Sequence, residues 1–159
     1  MVTERLRQLA ATVADLLDRA EADVPAAPEE HRRYDEAVAA IRAGGAELLD
    51  TATPYLWMYY RDVAATVDAE DLGIAPLGDG DDIWEHVRLR RPPTLATGFG
   101  SYEPSPCYVD FHGGVTWEPE HGLQLVFDHT GRLCRVGPVS GHLTVAAADS
   151  TAPPDAIYG

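Results

Sequence analysis

Leu6, Leu9, Val13, Leu16 and Leu17 recur at steps of three and four, with Arg5, Gln8, Asp15, Asp18 and Arg19 on the other side. This spacing predicts an amphipathic helix over residues 3–21, with Thr3 as its N-cap. Beyond Pro25 and Pro28, Glu29 and Glu30 suit the first turn of a second helix, and Tyr34, Val38, Ile41, Leu48 and Leu49 carry its period, with Gly44-Gly45 as the place for a kink or an end. Thr53-Pro54, a cap followed by proline at the first helical position, opens a third helix reaching about Asp68, with Leu56, Tyr59, Val63 and Val67 on one face. Tyr55, Trp57, Met58 and Tyr60 make its start apolar nearly all round, as core or contact residues are. Asp82 and Glu85 form a capping-box-like start for a short helix with Ile83 and Val87 inward, stopped by Arg90-Arg91-Pro92-Pro93. A short strand follows at TLATGF, and GSYEPSP is rich in turn formers.

From residue 107 the period changes to two. Cys107, Val109, Phe111, Gly113, Val115 and Trp117 alternate with Tyr108, Asp110, His112, Gly114 and Thr116, which predicts a long strand with one buried face. Leu123, Leu125 and Phe127 alternate in the same way. Turn residues Asp128–Gly131 then lead into a third strand, RLCRVGP, completing a meander. In the expected register Trp117 faces Leu123, Val115 faces Leu125, Gly113 faces Phe127 and His112 faces Asp128. The fold class is α+β, with N-terminal helices packed on a C-terminal antiparallel meander sheet. Residues 1–145 make one domain, helical over 1–70 and a short helix plus sheet over 82–145, and 146–159 form a loosely ordered tail.

Composition narrows the function classes. The 159 residues carry 26 acidic and 12 basic side chains, a net charge of −14, and every basic residue is Arg. Such a field repels phosphate backbones, so nucleic acid is not an expected partner; a basic protein is. No apolar run is long enough to cross a membrane and the charged start does not read as a secretion signal, so a cytoplasmic location is expected. Cys107 and Cys134 are far apart and fit neither a zinc ribbon nor a redox pair; both read as buried thiols. The aspartates in DLGIAPLGDGDD fail the calcium-loop spacing.

The reactive letters concentrate at Glu118-Pro119-Glu120-His121-Gly122, between the first two strands. Proline pre-sets a type I turn and glycine takes a positive φ as the chain re-enters the sheet, so turn chemistry alone explains the spacing. The competing reading is a divalent-metal site drawn from His112, Glu118, Glu120, His121 and Asp128, or His112 and Asp128 as an oriented base beside Asp110. There is no G-x-S-x-G, P-loop or G-x-G-x-x-G motif, and His142 reads as the start of a last strand or a turn cap. No catalytic residue and no cofactor are expected.

Trp117, Glu120, His121, Gly122 and Leu123, within WEPEHGLQLVF, resemble the hairpin of an uncharacterised family of small bacterial proteins, a domain of unknown function whose members carry a tryptophan, two acidic positions and then E-H-G-L-G-V. The likeness extends loosely to the preceding strand, GRLCRVG and DIWEHV, about half the chain. Pro119, Gln124 and Val115 depart from the pattern, which counts against a metal site built on those positions. The resemblance implies helices leading into an antiparallel sheet and an immunity-like setting, without an established activity. The function expected from the residues and this likeness together is a non-enzymatic protein-binding module with an acidic surface. Its contact residues would be Tyr108, Asp110, His112, Thr116, Glu118, Glu120, His121, Gln124 and Asp128, with a metal-dependent hydrolase or metal-binding regulator as the alternative.

Overall fold

Leucine spacing builds the first layer of the structure. In a computed structural model of the chain, which describes residues 1–22, 28–97, 107–153 and 155–159, α1 spans Glu4–Leu17 and buries Leu6, Leu9, Val13, Leu16 and Leu17. Each fully buried leucine is worth about 1.5–3 kcal/mol of transfer free energy. The Thr3 side chain accepts the Leu6 N–H at its start. A two-residue strand β1, Glu21–Ala22, follows. The next helix, α2, Pro28–Asp50, is interrupted at Gly45 (φ 55°, ψ −136°), a conformation open in practice only to glycine.

Helix α3, Thr53–Thr66, buries Leu56, Tyr59 and Tyr60. Tyr60 replaces the expected Val67, which is 38 % exposed beyond the helix end. Thr53 is the first helical residue rather than its cap; its hydroxyl donates to Asp50 and accepts the Trp84 indole N–H.

The expected short helix is one 3₁₀ turn, Ile83–His86, capped by the Asp82 carboxylate on the Trp84 N–H. It stops early because Val87 and Arg88 become a strand, β2, paired with the far end of the long strand: Val87 with Val115, Arg88 with Gly114. Arg5 of α1 reaches across to the Trp84 and Val87 carbonyls and ties the helical layer to this corner.

Strands β3 (Thr94–Thr97), β4 (Cys107–Val115), β5 (Leu123–Asp128) and β6 (Leu133–Gly137) complete the sheet. Its order is β1-β3-β4-β5-β6 with β2 also on β4, antiparallel throughout except for the parallel β1–β3 pair. The turn-rich expectation for GSYEPSP lies outside the described residues. Helix α2 packs on β4 and α3 on β6. Between the layers Phe111 and Phe127 meet edge to face, 6.2 Å apart. No helix among the described residues is long and apolar enough to cross a membrane.

The hairpin register differs from the expected one by two residues along each strand. Gly113 faces Leu123, Phe111 faces Leu125, Val109 faces Phe127 and His112 faces Gln124. The side-chain faces survive because the displacement is even. The cause is the other partner of β4: pairing with β2, continued by Thr116 N–H to the His86 carbonyl, draws residues 114–116 away from β5. The connection is longer as a result. Trp117 still points into the core, 2 % exposed, but its neighbours are Tyr59 and Tyr60 of α3 rather than Leu123.

Candidate functional site

The second face of the sheet carries the polar residues expected at the surface. Gln124 is 1 % exposed and Arg135 3 %. Arg135 can only donate and Asp110, when ionised, only accept, so the Gln124 amide between them is oriented by its partners. Its Nε2 donates to both Asp110 oxygens at 3.0 and 3.1 Å and to the His142 carbonyl, while its Oε1 accepts from Arg135.

The remaining Arg135 donors reach Ser140 Oγ (2.6 Å) and the carbonyls of Pro138 and Gly159. Residues 146–159, read in the sequence as a tail, begin within a short helix, α4 (Val145–Ala148), and end beside β6: Val136 donates to Ile157, Gly159 donates to Val136, and Val136 and Tyr158 form a parallel bridge. The Tyr158 hydroxyl donates to Asp62 just beyond them. Burial raises the Asp110 carboxyl above its ordinary range, with His112, Gln124 and Arg135 pulling it back. No last strand begins at His142, whose carbonyl serves the network instead.

His112 does not meet Asp128. Its Nε2 lies 3.1 Å from Asp110 Oδ2, two residues back on the same strand face. Asp128 pairs with Tyr108 and accepts from the backbone N–H groups of Thr130 and Arg132, capping the turn into β6. Four residues of extended strand, about 14 Å, separate Tyr108 from His112, so no base dyad forms from His112 and Asp128. Thr116 hydrogen-bonds His86 Nδ1 at 2.8 Å, and Tyr108 is half-buried.

Glu118, Glu120 and His121 do come together. One ligand atom from each lies within 4.8 Å of the others. The turn itself produces this convergence: Glu118 Oε1 accepts the N–H groups of Glu120 and His121 and lies 3.4 Å from His121 Nδ1. Glu120 and His121 are exposed, and neither His112 nor Asp128 joins them. The geometry is that of a carboxylate-capped turn with an imidazole on its flank. From the other side, the Tyr59 hydroxyl donates to the Gly122 carbonyl at 2.9 Å.

Sequence reasoning missed a neighbouring feature. Arg88, Arg90 and Arg91, read as a helix stop, form with His112, His121, Glu120 and the glycines 113, 114 and 122 an open cleft of about 520 Å³. Three arginines within four positions were the available signal.

Both thiols are buried, and burial, reinforced by Asp128, pushes Cys134 up to about 11. Burial raises Cys107 as well. The chain belongs to a family defined by a domain of unknown function, DUF6985, whose model matches residues 10–143. No curated protein and no solved structure matches it.

Proposed function

Taking membership of that family as the premise, we propose that the protein is a non-enzymatic, immunity-like binding module of the bacterial cytoplasm that docks on a basic protein through an acidic surface. The observation that carries this reading is the placement of charge. Between Arg61 and Arg88 the only residue that can turn basic is His86, and Asp68, Glu70, Asp71, Asp79, Asp81 and Glu85 are all exposed. Carboxylates without local counter-ions project a field that accelerates and orients the approach of a cationic surface. This segment succeeds the polar sheet face as the main contact surface, because Gln124 and Asp110 are occupied inside the molecule. The exposed turn residues Glu120 and His121 remain available to a partner. Buried thiols, the absence of lysine and the hairpin likeness support the cytoplasmic and bacterial parts of the reading.

The test uses immobilised tag-free protein to capture partners from its native extract, followed by titration of the purified partner from low to high salt. A basic partner should bind more weakly as salt rises, and Asp68→Asn, Glu70→Gln, Asp71→Asn and Asp79→Asn together should weaken it about tenfold or more at low salt. Affinity indifferent to both salt and these changes would sink the reading. Stoichiometric zinc or manganese in the tag-free protein, lost in His121→Ala, would replace it with the metal-dependent alternative.

A further inference from the structure

We propose that the cleft between β2, the start of the Arg90–Pro93 segment and the β4–β5 turn binds a small phosphate-bearing molecule. Cations are scarce in this chain, and most are committed. Arg7, Arg32, Arg42 and Arg132 lie in ion pairs, Arg5 and Arg135 serve carbonyls, and Arg61 lies 5.6 Å over the Trp57 ring. Arg88, Arg90 and Arg91 line one cleft, Arg91 also bordering a neighbouring pocket with Arg19 and Glu21, and among the described residues no carboxylate lies within ion-pair distance of any of the three. In a chain with more than twice as many acids as bases, three arginines sharing a wall without a counter-ion leave that role to a ligand.

The fixed parts suit phosphate. Arg88 Nη1 donates to the Glu85 and Val87 carbonyls, which fixes its planar head before any ligand arrives. Arg90 and Arg91 have no hydrogen bond or ion pair among the described residues and present whole guanidinium forks, a geometry that matches phosphate oxygens in pairs. His112 and His121 line the cleft, and each contacts a carboxylate, Asp110 and Glu118, outside its lining. Gly114 lines the cleft without a side chain, and a Cβ there would meet nothing within 4 Å. A volume of about 520 Å³ leaves room for an organic group against Pro119 and Val139.

The net charge of −14 opposes an incoming anion, so the two effects have to be compared. At physiological salt, exposed charges farther away than about 8 Å are largely screened, whereas the three arginines act at contact. A long nucleic acid would feel the whole acidic surface. A small phosphate compound feels the cleft, in which Glu120 is the one opposing charge among the lining residues.

Isothermal titration with inorganic pyrophosphate, and with citrate as a carboxylate of similar charge, tests this on the full chain. Pyrophosphate should bind with a sub-millimolar Kd and citrate about tenfold or more weakly. The double change Arg90→Ala, Arg91→Ala alters only exposed side chains and should weaken pyrophosphate at least about tenfold; Glu120→Gln should strengthen it. Gly114→Leu keeps every charge but fills the space, and should abolish binding. Absence of pyrophosphate binding at millimolar concentration, equal binding of citrate, or full binding by the Gly114→Leu protein would each overturn the proposal. The acid-neutralised variant of the preceding section should retain pyrophosphate binding, which keeps the two readings separable.

Discussion

Trp117 shows how one side chain joins two layers. Its ring meets Tyr59 and Tyr60 edge-on, both at 5.7 Å, and its indole N–H has no hydrogen-bond partner among the described residues. Truncation to Ala should cost about 3–5 kcal/mol in urea unfolding, because a fully buried ring and the cavity it leaves both count. Trp117→Phe should cost only about 1–2 kcal/mol, since area is lost but no hydrogen bond is. The other testable residue is Cys134. Its unfolded thiol ionises near 9 and its folded thiol near 11, so between these values the folded state holds more protons and stability falls as pH rises. Tyr59 and Tyr158, raised by burial above their usual 10, extend the fall beyond pH 10. Unfolding midpoints should therefore drop from pH 9 to 10.5, and Cys134→Ala should make the part below pH 10 shallower, the remainder coming from Cys107, whose thiol burial also raises.

At the scale of elements, the β4–β5 connection depends on Gly122. Its φ is 63°, and a Cβ there would sit 2.7 Å from the Gly113 carbonyl oxygen. Gly122→Ala should cost about 2 kcal/mol or more, read as a lowered unfolding midpoint with an unchanged far-ultraviolet spectrum. The sequence announced this glycine, the three helices and the faces of β4, because each is written in local periodicity or turn chemistry. It did not announce the register, which is set by Val87 and Arg88 capturing the end of β4 from about thirty residues away. Burial of both faces of β5 and β6 was also concealed. Gln124 and Arg135 look like solvent residues in an alternating strand, and only Val126, apolar where a polar residue was due, hinted at a cover. The arginine cleft escaped notice for a related reason: Arg88 and His112 come from distant segments, and only the sheet makes them neighbours.

At the scale of the molecule, the second face is organised by one buried cation. Replacing Arg135 with Leu would strand the Gln124 Oε1 acceptor and the Pro138 and Gly159 carbonyls and remove the positive charge beside Asp110, and should lower stability by about 3–5 kcal/mol in chemical denaturation. The same contact has a consequence beyond the single chain. Residues 157–159 run along β6 and occupy backbone groups that would otherwise form a bare rail at the rim of the sheet. A bare rail of LCRVG is a template on which a second chain can add a strand, the first step toward edge-to-edge fibres. A protein cut after Ala156 should therefore scatter light and grow with concentration where the full chain stays monodisperse, so that residues 157–159 act as a guard against self-templating.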